Sequence, residues 1–264
     1  MIIKRYTRPH VLILSGLDPS GGAGVQADIQ AITALGCHPM PIITCLTVQD
    51  TTNVYGADAV DASLVRKQLE CIAGDASIHA IKTGALGNAG IVEVLVDFLK
   101  SRPDIPLITD PVIKAAGGGD LADDELIGAM RERLFPLAEI ITPNGIELAM
   151  LGNDADAAQA ASNLLETGCR SVLATGGHGT GHRIVNTLYS RSSEPLQWEI
   201  ERVGGEYHGT GCTLAAAISA GRALGLSQRV AISQAQNYVH HAIRHALEVG
   251  KGQPVPDRGI QWQP

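Results

Sequence analysis

Six short runs of apolar residues, each bounded by glycine or polar residues, set the tightest limit on what this chain can fold into. VLILS (11–15), IITCL (42–46), HAIKT (79–83), PLITD (106–110), EIIT (139–142) and SVLAT (171–175) are mostly continuous, not alternating. A strand with one wet face alternates apolar with polar residues, whereas a strand buried on both faces does not. The runs therefore predict a parallel sheet covered on both sides. Helical patterns separate them, at about 22–35, 62–73, 88–100, 122–132, 145–151 and 155–167. In the third of these, Ile91, Val92, Leu95, Val96 and Leu99 share one stripe of a 3.6-residue helix. This βαβα order implies a doubly wound α/β sandwich. NTLYS (186–190) and LQWEI (196–200), on either side of SRSSEP, predict a hairpin after the parallel part. Two helices, about 210–224 and 227–248, then precede an irregular tail rich in proline and glycine. No repeat, low-complexity tract or linker interrupts the 264 residues, so one domain over 1–264 is expected.

The charge balance narrows the partners. A formal net charge of -7 opposes nucleic acid and anionic membranes, which reward a basic surface. A local phosphate pocket remains compatible with it. Five cysteines, Cys37, Cys45, Cys71, Cys169 and Cys212, form no CxxC pair, which points away from a disulfide framework or zinc site and towards a reducing cytoplasm. The apolar core VLILS is too short for a signal peptide, and no run approaches a membrane span.

In open α/β sheets ligands bind beyond the carboxyl ends of the strands. Polar or glycine-rich clusters follow all six runs: SGLDPSGGAG (15–24), TVQDTTN (47–53), GALGN (84–88), Asp110 with DPVIKAAGGGD, TPNGIE (142–147) and GGHGTG (176–181). Any one alone reads as a turn; six at one end of a sheet read as the rim of an active site. No GxxxxGK[ST] is present, and GTGCTL does not complete GxGxxG. HGTGCT (208–213) stands apart, because it opens a helix late in the chain. Thr210 is placed to cap that helix. The N–H groups of Gly209, Thr210, Gly211 and Cys212 are placed to converge on an anion, helped by the helix dipole. The competing reading is a close helix–sheet contact with Cys212 as a small buried hydrophobe. A thiol at a helix start is expected to have a lowered pKa.

SGLDPSGGAGVQADIQA, TVQD, IKTGAL, DPV, TPNGIE, GGHG and HGTGCTLAAAI resemble, in order and spacing, the hydroxymethylpyrimidine and phosphomethylpyrimidine kinases of thiamin biosynthesis. That family lies within the ribokinase-like superfamily. The resemblance runs from about residue 11 to GKG at 250–252. It implies a three-layer sandwich with a mostly parallel central sheet, a homodimer, and phosphorylation of a pyrimidine hydroxymethyl group with ATP and Mg2+. It implies Cys212 as catalytic residue with Gly209, Thr210 and Gly211 as anion hole. Gln49, Gly16, Ala23, Ala85 and Val112 would bind the pyrimidine; Asn144, Thr175 and Gly177 the nucleotide; Asp110 and Glu147 the metal. Lys82 is left outside the site, and His208 is either a phosphate-steering or a structural histidine. Three departures stand out: Thr175 replaces a lysine, Ala85 replaces a methionine, and GGEY precedes HGTGCT. The rival readings are a pyridoxal-type vitamin B6 kinase and a weakly catalytic pyrimidine sensor.

Overall fold

The computed structural model describes residues 7–114, 119, 121–177, 179, 181–191 and 193–260. All six apolar runs are parallel strands of one sheet: β1 (His10–Leu17), β2 (His38–Gln49), β4 (Ala80–Thr83), β5 (Leu107–Thr109), β6 (Ile140–Ile141) and β7 (Ser171–Ala174). The hairpin β8 (Arg183–Ser190) and β9 (Ser193–Glu201) closes one edge, and β3 (Val54–Ala59) pairs antiparallel with β2 at the other. The order is β3-β2-β1-β4-β5-β6-β7-β8-β9. The chain leaves β1 towards one side and returns to its other side at β4. This puts the topological switch point, where such sheets bind ligands, at the carboxyl ends of β1 and β4.

Helices α1 (Gly24–Ala34), α7 (Thr210–Ala223) and α8 (Gln228–Arg244) cover one face, and α2 (Ala62–Asp75), α3 (Ala89–Lys100), α4 (Asp124–Ala129), α5 (Gly145–Gly152) and α6 (Ala157–Glu166) the other. Each face has its own apolar core, with Leu12, Leu14 and Ile81 pointing to the second set and Val11, Ile13 and Ile108 to the first. Helix α7 lies deepest. Its run of Ala215, Ala216, Ala217, Ala220 and Gly221 is buried, and small side chains let it approach the sheet and α8 together.

Three departures from the sequence reading have physical causes. β3 was not foreseen, because Tyr55 to Ala59 are exposed and carry no apolar alternation; its backbone completes the edge of β2. The expected helix at 122–132 begins as α4 and continues as a π turn (Met130–Leu134) and a 3-10 turn (Phe135–Leu137), since Pro136 has no N–H to continue the α ladder. Helix α8 stops at Arg244, short of 248, because Leu247 and Val255 exchange backbone bonds of 2.8 and 3.0 Å with the returning tail. Residues 115–118 and 120 of DPVIKAAGGGD, and His178 and Thr180 of GGHGTG, lie outside the described residues.

Among the buried polar side chains of the parallel strands, mostly serine and threonine, one is charged. Lys82 on β4 is fully buried and pairs at 2.8 Å with Asp28 of α1, also fully buried. Removing one partner of a buried pair leaves an uncompensated charge, at a cost of about 3–5 kcal/mol, while apolar replacement of both is often neutral. Lys82→Met is therefore expected to lower the unfolding free energy by that amount in urea titrations. Asp28→Leu combined with Lys82→Met is expected to recover most of it; no recovery would show that the pair is not the source.

Candidate active site

Eight helices present their first turns to solvent or to a ligand, and six of them are closed by their own side chains. Asp61, Asn88, Asp123, Asn144, Asp156 and Ser227 each accept a bond from a first-turn N–H. Only α1 and α7 have no side-chain cap. Their N-caps are Ala23 and Gly209, which lie within the two glycine-rich segments SGGAG and HGTG. Thr210 does not cap α7, contrary to expectation; it is the first helical residue, and Gly209 holds the cap position with φ 83°. Helix starts left open in this way keep their N–H groups and positive dipole ends available.

The two open starts meet at Cys212. The N–H of Gly24, first residue of α1, and the Asp110 carboxylate both act on the charge of its thiol. A Cβ on Gly211 would lie 4.0 Å from Asp110 Oδ1, so the glycines and the carboxylate face each other across a narrow gap. Gly24, with φ 58°, is forced to be glycine by the Gly16 carbonyl beside it.

The thiol's electrostatics reverse the expectation from the helix dipole. Burial, together with the charges of Asp110 and Asp28, pushes the Cys212 pKa up to about 12, and Lys82 and the Gly24 N–H only partly oppose this. Cys212 is a protonated thiol in the free chain, not a resident thiolate.

Asp110 follows β5 and is buried, and burial and the charge of Asp28 raise its pKa against the pull of Lys82. Glu147 is also buried, as the third residue of α5. It closes a capping box: its Oε2 accepts from Asn144 N at 2.9 Å, while Asn144 Oδ1 accepts from the N–H of Ile146 and Glu147 at 3.0 Å each. Burial and the neighbouring Asp110 push the Glu147 pKa up to about 8. Two buried carboxylates that destabilise each other's charge form a donor set suited to a hard cation, which binds through one or two carboxylates and keeps several waters.

The remaining expected residues fall in two groups. Gly16 and Ala85 face each other, with Cys45 beside them: a Cβ on Gly16 would lie 3.5 Å from the Ala85 Cβ and 2.6 Å from the Cys45 sulfur. Gln49 is half-buried at the end of β2; TVQ is strand, not the loop expected, because β3 extends the pairing. Val112 follows Asp110 in a tight turn, its N–H bonded to Asp110 O at 2.9 Å. Thr175 bonds to Pro143 O and bridges to Asn144, tying the β7 end to α5. Gly177 is exposed, and its carbonyl accepts from Arg202 at 2.7 Å.

Four residues were outside the sequence reading or left undecided by it. Lys82 was left out, yet its charge acts on Asp28, Cys212 and Asp110, which together hold its pKa raised although burial pulls the other way. A lysine inside an apolar strand was the signal. His208 is structural: its Nε2 lies 2.8 Å from Asp18 Oδ2, which also accepts from the Ala23 N–H. Arg202 grips the carbonyls of Gly176, Gly177 and Gly181, and Arg258 enters from the tail. Nothing in the local sequence marks either.

A sheet wound outward from β1 in both directions, antiparallel at both edges and open to ligand at its switch point, is a ribokinase-like kinase fold. The ADP complex of Bacillus subtilis pyridoxal kinase superposes with TM-score 0.86 and 28% identity, covering 96% of this chain and 98% of that one. A phosphomethylpyrimidine kinase structure from Clostridium difficile 630 gives 0.76 and 30% over 90% and 100%. The sequence places the chain more narrowly: residues 18–256 match the phosphomethylpyrimidine kinase family, and the chain belongs to it. A hydroxymethylpyrimidine/phosphomethylpyrimidine kinase of Streptomyces coelicolor is 36% identical, covering 96% of this chain and 95% of that protein. A probable thiamine biosynthetic bifunctional enzyme of rice, chloroplastic, is 35% identical over 94% of this chain, which spans only 47% of that longer protein.

Glu147 gives the free chain a defined pH response. Its pKa rises from 4.5 to about 8 on folding, so between those values the folded chain holds a proton that the unfolded chain has lost. The stability it contributes is full below pH 4.5 and is lost as pH rises through about 8. The Tm of the metal-free protein is expected to fall over that window, and Glu147→Gln to flatten the fall. An identical pH profile in the variant would refute the assignment.

Proposed function

We propose that this chain is an ATP-dependent kinase acting on 4-amino-5-hydroxymethyl-2-methylpyrimidine, its monophosphate, or both, in thiamin biosynthesis. The observation that carries this reading is the meeting of two uncapped helix starts at Cys212, opposite the Asp110–Glu147 pair. Phosphoryl transfer passes through a loose transition state, so the protein mainly positions groups and neutralises charge. The N–H groups of Gly209, Thr210, Gly211 and Cys212 hold the oxygens of the moving phosphoryl group. Asp110 and Glu147 would hold Mg2+, which would offset phosphate charge. Asn144, Thr175 and Gly177 line the nucleotide side, where Thr175 leaves phosphate contact to backbone groups. Gln49 reads the pyrimidine's amino edge as both donor and acceptor, and Gly16, Ala23, Ala85 and Val112 enclose the ring.

Cys212 supports a late proton transfer. Asp110 acts on the charge of its thiol, so the hydroxymethyl proton would pass to sulfur as the S–H proton passes to that carboxylate. A folding unit spanning 1–264 agrees with the continuous sheet from His10 to Glu201. A homodimer agrees with the exposed Leu46, Val48 and Tyr55 on the β2–β3 hairpin. We place the protein in the cytoplasm as a reducing compartment: all five cysteines are free, and no helix among the described residues is long and apolar enough to cross a membrane. A pyridoxal-type kinase is the second reading, favoured by Ala85, where the family's methionine would narrow the pocket.

Purified protein with Mg-ATP, offered the pyrimidine alcohol, its monophosphate and pyridoxal, tests the reading by the mass of the products. Phosphorylation of pyridoxal alone would replace it with the second. Cys212→Ala is expected to cut turnover about 10²–10⁴-fold while substrate still binds. Unchanged turnover per folded molecule would make Cys212 a packing residue. Ala85→Met restores apolar contact on the ring, and burial of such a group is worth roughly 1–3 kcal/mol; calorimetry is expected to show tighter pyrimidine binding.

A further inference from the structure

The family match ends at residue 256, and neither the last residues inside it, from 252 on, nor those beyond it have a role in the reading above. The structure nevertheless threads this tail along the active site. Gly252 N and Gln253 N bond to Thr51, two residues past Gln49, at 2.9 and 3.1 Å. Pro254 O accepts from His208 N at 3.0 Å. The tail then delivers Arg258, only 2% exposed, between the two glycine segments.

Its guanidinium spans both. Nη2 donates to Gly22 O, Nη1 to Gly21 O at 3.5 Å and Gln30 Oε1 at 3.3 Å, and Nε to Thr213 Oγ1 at 2.8 Å. Gly21 and Gly22 belong to the loop that opens α1; Thr213 lies in the first turn of α7. Gly209 fits between them only as glycine, since a Cβ there would collide with Gly22 O and lie 2.7 Å from Nη2. The arginine is itself fixed, because Tyr238 donates to its carbonyl at 2.8 Å. The oxygens it bonds are carbonyl, amide and hydroxyl, none a carboxylate. A buried cation is a costly way to satisfy neutral oxygens. What a guanidinium adds is a rigid fork that reaches several acceptors at once, and a positive charge beneath the helix start.

We propose that Arg258 is a positioning residue for phosphoryl transfer, setting the spacing between the substrate loop at Gly21–Gly22 and the anion hole at Gly209–Cys212. The proposal rests on the kinase reading for its reaction, but not for its geometry. Two measurements keep them separate. In the first, Arg258→Ala at saturating Mg-ATP and pyrimidine loses about 10²-fold in kcat, the scale of a small misplacement of reacting groups, with little change in KM. Guanidinium chloride, but not sodium chloride, restores part of the loss; Arg258→Lys, lacking the fork, remains impaired. In the second, at alkaline pH where some thiolate forms, inorganic phosphate slows alkylation of Cys212 by iodoacetamide in the wild type, read at that site by peptide mass, and this protection weakens in Arg258→Ala.

A lower Tm with unchanged kcat and unchanged phosphate protection in the folded variant would overturn the proposal and leave Arg258 a structural residue. If Arg258→Ala fails to fold, Arg258→Met, which keeps the apolar stem, loses the fork and leaves the Thr213–Gly209 bond in place, decides the matter: reduced kcat and protection support the proposal, and wild-type values overturn it. If the wild type phosphorylates none of the three alcohols, yet phosphate protection depends on Arg258, the kinase reading fails and the positioning role stands.

Discussion

A buried ion pair organises the glycine-rich end of this sheet. Lys82 projects from the middle of the parallel strands and is fully buried, and its ion pair with Asp28 ties α1 to β4. That tie sets where α1 begins, and with it the Gly24 N–H that reaches Cys212. Lys82 offsets only part of the acid around it. Asp28, Asp110 and Glu147 are all buried, and each has its pKa raised first by burial. Such a site gains stability from any added positive charge.

The same end of the molecule shows how function is written in capping. Six helices complete their first turns with Asp, Asn or Ser; α1 and α7 do not. Capping side chains contribute typically about 1 kcal/mol each, so forgoing them is a stability cost confined to the two helices that meet at Cys212. Glycine serves there twice, by adopting positive φ at Gly24 and Gly209 and by letting neighbouring carbonyls approach. The tail compensates from outside, through Arg258 and Pro254.

Much of the fold was legible in the sequence because its signals are local or periodic. Continuous apolar runs identified all six parallel strands, and the order of glycine-rich clusters identified the rim. β3 escaped, because an exposed edge strand needs no apolar face. The break after α4 escaped as well, although Pro136 was visible. Cys212, the glycines and the two carboxylates are site residues expected from family resemblance, and the structure brings them to one end of the sheet. Lys82 carried a signal that went unused, and the Cys212 pKa was misjudged because the dipole of one helix was weighed without the carboxylates packed beside it.

The sequence by itself determined a two-faced parallel sheet, its crossover helices, and a chemical repertoire of thiol, carboxylates and glycine-rich helix starts. Those follow from short-range periodicity and residue type. Only the tertiary structure decided that Asp28 meets Lys82 across 54 residues, that Asp18 holds His208 across 190, and that Arg258 reaches Gly22 across 236. No local pattern encodes such pairs, because each depends on how the sheet is wound and on which helix ends it brings together. The ionisation of Cys212 belongs to the same class, since the surroundings and charges brought around it by folding set the pKa of its thiol.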